Sequence, residues 1–417
     1  MNIAEHVRTQ RLWTDIEQTG EFGRLDGDGR GRTAPTGSEA NRQCREYLRE
    51  QLVEAGLTVR MDAVGNIAGR WDPPGASGDP VASGSHLDSV PAGGIFDGPL
   101  GVFAALEAVR AMQDAGVEPA RPIEVVSFTE EEGATFGAGL LGSSVATGVR
   151  SVEEALALTD DDDRTLQTAL AEIDARGEGR LDAAAWDAWL ELHIEQHTRL
   201  EEQDIPVGIV TDITGITHCT ATIAGEANHA GTTPMGAART DALAAASEVV
   251  LAVEAAAERR AEDDPAAVGT VGRATVSPNA TNVVPGEVEL GIDIRSVESD
   301  SITALVDATA DALVAVEGSR GVMTSLQTEL DLDPTPMAER VQQAARAAGE
   351  RTGIATMSLH SGAAHDTMHV ADVTDAGMLF APSQAGISHS PQEWTDPAAC
   401  ADATRILASA LGDLADV

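Results

Sequence analysis

The order of strand-like and helix-like segments changes near Val207 and changes back after Asp333-Pro334. That switch constrains the fold more than any other feature, because it makes one domain discontinuous. Before it, Cys44, Tyr47, Leu48 and Leu52 recur at helical spacing within Ser38–Ala55, and Gly56 ends the pattern. Leu57, Val59 and Met61 alternate like a strand, and Val64–Arg70 and Pro80–Ser85 predict two more. Leu100–Gln113 predicts an apolar-faced helix, and the apolar run Ile123–Phe128 a buried strand. Strands alternating with helices predict a mixed or parallel sheet covered on both faces. Inside the switch the order is strand Thr217–Ala224, helix Gly236–Arg260, strands Val268–Val276 and Glu287–Arg295, helix Ser301–Val316 and strand Gly321–Leu330. That is the β-α-β-β-α-β order of the split βαβ unit. The expected fold is therefore α/β: a mixed-sheet domain in two parts, residues 1–207 and 332–417, with a ferredoxin-like α+β domain, residues 208–331, inserted between them.

The length of 417 residues suits two cores, and 42% hydrophobic residues can fill them. The charge is extreme: 68 acidic against 27 basic residues, net −41, with no lysine. Such a surface repels phosphates and excludes a nucleic-acid partner. Dense carboxylates with few aromatics suit a protein adapted to high salt. Asp160-Asp161-Asp162-Asp163 reads as a solvated loop, since it lacks the spacing and closing Glu of an EF-hand. Cys44, Cys219 and Cys400 are odd in number and widely spaced, as expected of buried thiols in a reducing cytoplasm. No basic, then apolar leader opens the chain, and no stretch reaches the length of a membrane span, so a cytoplasmic protein without a membrane partner is expected.

Five polar stations carry the chemistry: His86-Leu-Asp88, Asp97-Gly98, Glu131-Glu132-Gly133, His193 and His389. His86 follows one predicted strand and Glu131-Glu132 another, and ligands in open α/β sheets gather beyond the carboxyl ends of strands. The set suits two hard or borderline divalent cations sharing a water, with Zn, Mn or Co all acceptable. Asp97 would bridge the two cations, and Gly93, Gly94 and Gly98 would let backbone approach them. His86 and His193 would complete one site, Glu132 and His389 the other. Asp88 would hydrogen-bond the His86 ring and fix its tautomer. Glu131, beside a ligand but free, would act as the base.

The chain resembles the dinuclear metal amidases of the aminoacylase and carboxypeptidase superfamily, and within it the hydantoinase/carbamoylase branch. The matching segments include Gly84–Gly98, Glu131–Gly133, Leu190–Gln196, Asn228–Met235, Pro278–Gly286, Asp293–Arg295, Ser361–Asp366 and Gly386–Pro391, spread in order over essentially the whole chain. The resemblance implies that His86, Asp97, Glu132, His193 and His389 are metal ligands and that Glu131 is the base. It implies that His229 reaches in from a partner subunit of a homodimer, formed through the inserted lid domain, to stabilise the oxyanion. Asn282 and Arg295 would hold a substrate carboxylate, for which a planar guanidinium fork is well suited. Gln196 would contact the amide or ureido group, and His365 with Asp366 would line the pocket.

Three positions depart from the branch. His197-Thr198 stands where Gly-Pro is common, Gly215-Ile216-Thr217 where Gly-Gln-Arg is common, and Thr240 where a lysine is common. Ile216 removes a polar group and favours a smaller or more apolar substrate. The expected reaction is metal-dependent cleavage of the carbamoyl or ureido C–N bond in N-carbamoyl-L-amino acids. Allantoate, N-acyl amino acids and a metal-holding scaffold without turnover are the alternatives.

Overall fold

A nine-stranded mixed sheet organises the larger of two units. Its main strands run in the order Thr58–Met61, Ile67–Trp71, Ile123–Phe128, Val81–His86, Ala188–Ile194, Asp375–Ala381 and Val207–Ile213. The four central strands, from Ile123–Phe128 to Asp375–Ala381, are parallel neighbours, so their carboxyl ends share one edge. Every position of Ile123–Phe128, Val81–His86 and Ala188–Ile194 is buried, the pattern of a sheet covered on both faces. The structure is a computed structural model and describes residues 2–27 and 29–417.

Local chemistry sets the helix boundaries. The helix Glu39–Glu54 begins where the Ser38 side chain accepts the Asn41 N–H, and it buries Cys44, Leu48 and Leu52 at four-residue spacing. Pro99 opens the helix Pro99–Asp114, which is apolar almost all round and accordingly buried on nearly every face. The C-terminal helix Pro397–Leu414 is capped by Asp396 and adds Ile406, Leu407 and Leu411 to the same core. Between Leu141 and Glu172 three short helices, Leu141–Thr147, Val152–Leu156 and Leu166–Glu172, carry a separate apolar cluster; the sequence reading assigned no element there. The Asp160–Asp163 run is a turn in which Asp160 accepts the Asp162 and Arg164 backbone N–H groups.

The smaller unit comprises Asp212–Thr335 with Gly362–Ala364. It therefore begins and ends a few residues later than the pattern change suggests. Its antiparallel sheet has the order Met323–Leu332, Gly215–Ala224, Glu287–Ser296, Val268–Ser277. Helices Ala242–Ala261 and Ser299–Arg320 pack together, their apolar residues joining those of the sheet in one core. The first helix starts at Ala242 rather than Gly236, because Asp241 caps it by accepting the Ala244 N–H. A two-stranded ribbon, Asn228–His229 with Val283–Val284, completes the unit. No helix among the described residues is long and apolar enough to cross a membrane. All three cysteines are free and buried.

Candidate active site

The parallel strands deliver the polar stations to one edge. His86 is the last residue of its strand, and His193 lies one residue before the end of its own. Glu131 and Glu132 follow Ile123–Phe128 through Glu130, which turns the chain with a φ of 56°. Asp97 precedes the helix Pro99–Asp114, and Gly98 between them has φ +81°, with His86 so close that a Cβ would lie 2.6 Å from its ring. His389 comes from the loop after Asp375–Ala381 and is itself left-handed, with φ 53°.

Asp97 stands at the centre. Its Oδ1 lies 3.4 Å from His86 Nε2 and 3.3 Å from His193 Nε2. Its Oδ2 faces the other way, 3.5 Å from His389 Nε2, which is in turn 3.3 Å from Glu132. Two three-residue groups result, His86–Asp97–His193 and Asp97–Glu132–His389, each with donor atoms close enough to share one ion. A third, overlapping group is His86–Glu131–Glu132. Among the described residues, neither His365 nor His369 joins such a group.

The hydrogen bonds around these residues suit metal ions. His86 Nδ1 lies 3.1 Å from the Asp88 carbonyl, and His193 Nδ1 lies 3.0 Å from the Ile194 carbonyl. A carbonyl can only accept, so each Nδ1 carries a hydrogen, and each Nε2 faces Asp97 with a lone pair whenever its ring is neutral. Two acceptors facing each other at 3.3–3.4 Å need a proton or a cation between them. A charge-assisted bond would be shorter, about 2.7–2.9 Å. His86 Nε2 and Glu132 Oε1 are buried and have no hydrogen-bond partner. The donor set of imidazoles and carboxylates fits divalent cations.

The electrostatics agree with this reading. Burial raises the Glu131 carboxyl well above its ordinary range, and Glu132 adds to the effect. Burial, then Asp97, pushes Glu132 up to about 8. Burial opposes a charge on His86, yet Glu131, Asp97 and Asp88 together hold its pKa well above the ordinary value. Burial also opposes the Asp97 charge, but His193 and His86 keep that carboxyl well below its usual range. Without cations the cluster retains protons.

The remaining expected site residues differ in placement. Asp88 Oδ1 lies 3.8 Å from His86 Nδ1, too far for the hydrogen bond expected from the sequence, which the Asp88 backbone carbonyl makes instead. The side chain instead accepts the backbone N–H groups of Glu131 and Glu132, at 3.4 and 3.2 Å, so it orients the loop that carries them. Gln196 donates through Nε2 to Asp97 Oδ2 at 2.8 Å and to Ser388 Oγ at 3.1 Å. His365 is buried against His193, with ring centroids 4.5 Å apart, and lies 3.0 Å from Ser361 Oγ. Burial and His193 depress its pKa well below the ordinary value, so the ring is neutral. The smaller unit carries the other three. His229 is exposed, and its Nδ1 accepts the Gly231 and Thr232 N–H groups, which leaves the ring hydrogen on Nε2 as a free donor. Arg295 grips Asp293 through Nε and Nη2 and the Gly362 carbonyl through Nη1, leaving one N–H on each terminal nitrogen. Asn282 is exposed, and its carbonyl accepts the Ala230 N–H.

Two supporting features were not found by sequence reasoning. Arg32 is fully buried, and its guanidinium donates to the carbonyls of Leu87 and Gly94 and to Cys44 Sγ, which ties the His86 loop to the Asp97 loop. Arg45, also buried, donates to Gly65 O and Thr129 Oγ1 behind the glutamates. Their sequence neighbourhoods carry no motif that marks them; only the cost of burying a guanidinium does so, once the fold is known.

Residues 82–413 match the profile of peptidase family M20/M25/M40. The chain belongs to that family. Within it the chain falls among the hydantoinase/carbamoylase amidases. A crystal structure of a hydantoinase/carbamoylase family amidase from Burkholderia multivorans superposes with a TM-score of 0.91 at 34% identity, covering 98% of each chain. An N-carbamoyl-L-amino acid amidohydrolase of Geobacillus stearothermophilus is 38% identical over 98% of this chain and 99% of its own length. An allantoate amidohydrolase of Bacillus subtilis is 35% identical over 84% of each.

Proposed function

We propose that this member of the family is a dinuclear metal-dependent amidohydrolase that cleaves N-carbamoyl-L-amino acids. The observation that carries the reading is Asp97, whose two oxygens face two different ligand groups with Glu131 alongside. His86, His193 and Asp97 Oδ1 would hold one divalent cation, and Asp97 Oδ2, Glu132 and His389 the second. The cations, Zn, Mn or Co, would supply Lewis acidity and make a shared water acidic near neutral pH. Glu131 takes the proton of the water that attacks the carbamoyl carbon and returns it to the leaving nitrogen. The partner's His229, in a homodimer formed through the smaller unit, donates Nε2–H to the developing oxyanion. Arg295, with its two unspent N–H groups, and Asn282 receive the substrate carboxylate. A scaffold without turnover would have no use for Glu131. Three buried free thiols suit a reducing compartment such as the cytoplasm.

The test is a rate comparison on N-carbamoyl-methionine, its amide and allantoate, with parent and Arg295→Lys. We expect the acid to be the best substrate, the amide to fail, and Arg295→Lys to raise KM strongly, because an ammonium cannot reproduce the fork. Equal rates on acid and amide remove Arg295 from the mechanism. A clear preference for allantoate makes the chain an allantoate amidohydrolase, the activity named for the Bacillus subtilis relative.

A further inference from the structure

The His389 loop contains a second buried carboxylate, Glu393, for which the reaction above has no use. Its side chain is 2% exposed, and hydrogen-bond donors surround it. Oε1 accepts the backbone N–H groups of Phe96 at 2.9 Å and Asp97 at 3.2 Å. Oε2 lies 3.3 Å from Ser388 Oγ. That hydroxyl has one hydrogen, and Asp97 Oδ2, at 2.7 Å, is its nearer acceptor. Gln196 Nε2 donates to both Ser388 and Asp97 Oδ2, so the Asp97 oxygen that faces His389 is held by two donors. The approach is so close that a Cβ at Gly94 would lie 2.0 Å from Glu393 Oε1. Behind it, Trp394 packs edge-on to Phe96, and the Arg30 guanidinium covers Trp394 at 5.0 Å and Trp13 at 5.3 Å. The Arg30 N–H binds the Pro391 carbonyl.

We propose that Glu393 is a positioning residue that locks Asp97 in its bridging pose and fastens the His389 loop to the Asp97 loop. The inference rests on the dinuclear reading and goes beyond it. His86 and His193 sit at or beside the ends of buried parallel strands, which anchor the first group. The second group depends on His389, half exposed on a loop, and on the direction of Asp97 Oδ2. Glu393 and Ser388 fix both, so their loss weakens the second cation position selectively.

The experiment titrates metal-free protein with Mn(II) and follows the free-ion EPR signal, with far-UV circular dichroism to check the fold. The parent binds two ions. Glu393→Ala keeps the first affinity within about threefold and weakens the second by about 10–100-fold, the usual cost of losing support behind a ligand. His389→Ala, which removes a ligand outright, gives the same one-ion pattern. Glu393→Gln keeps an acceptor for the two N–H groups and falls between. If Glu393→Ala does not fold, Ser388→Ala and Glu393→Gln report the same selective loss. Parental affinity at both positions, or equal loss at both, overturns the proposal. A parent that binds fewer than two ions sinks the dinuclear reading as well.

Discussion

Metal binding should release protons, and stripping the metal should make the fold sensitive to alkali. Burial, then Asp97, raises the Glu132 carboxyl from 4.5 to about 8 in the metal-free site. Holding that group ionised there costs on the order of 5 kcal/mol, at about 1.4 kcal/mol per pH unit. Burial, then Asp88, pushes Glu130 to about 7, and burial, then Glu191, pushes Asp366 to about 8. The folded metal-free state thus binds more protons than the unfolded chain between the ordinary carboxyl range and pH 8. The stability these protons confer is complete below pH 4–5 and is lost as pH rises through 7–8. Cations displace the protons, so the stabilisation they confer should grow with pH over the same window. The assay is a melting curve from pH 5 to 9 with chelator and with excess Mn(II), in molar KCl to suppress surface repulsion. Calorimetric titration in two buffers of different ionisation enthalpy counts the protons. About one to three should be released at pH 6.5 and fewer above pH 9, and Glu132→Gln should lower the count. A chelated protein whose melting temperature is flat or rising over pH 5–8, with no proton release, would refute the argument.

Three further outcomes are expected. Glu131→Gln should retain both metals by elemental analysis while turnover falls by roughly two to four orders of magnitude; full turnover would strip Glu131 of its role. Mixing inactive Glu131→Gln with inactive His229→Ala subunits should restore part of the activity through hybrid dimers, and exchange without recovery would contradict a shared site. The melting temperature should climb with KCl into the molar range, because the Debye length falls from about 10 Å at 0.1 M to about 3 Å at 1 M and screens the acidic surface. A flat salt profile would refute that.

The sequence revealed the architecture and the polar stations that gather at one sheet edge because both leave local traces. Apolar runs mark the buried strands, alternation marks the half-buried ones, and polar residues just beyond strand ends mark the site. What stayed hidden depends on long-range contact. Nothing near Asp88 indicates that its carbonyl, rather than its carboxylate, meets the His86 ring. Glu393 meets the Asp97 backbone from 296 residues away, and its one visible signal is an acid four places after His389. The short helices between Leu141 and Glu172 escape periodicity because five to seven residues make fewer than two turns.

The division of the larger unit into two stretches has a consequence for how the protein is made. Its strand Asp375–Ala381 lies mid-sheet, paired on one side with Ala188–Ile194 and on the other with Val207–Ile213, yet it is made only after the whole inserted unit. Until then Ala188–Ile194 is an apolar strand with an open edge, the kind of surface that recruits other nascent chains. The insertion shortens the wait. Its first and last strands pair, Ile216 opposite Leu332, so once it folds its two ends emerge side by side. The chain that returns meets the chain that left, with the Met337 N–H on the Thr211 carbonyl. A loop of more than a hundred residues is thereby closed before the sheet needs it closed, which removes most of its entropic cost. Completion of the sheet then brings in His389, so the Asp97–Glu132–His389 group assembles only after the inserted unit has been made.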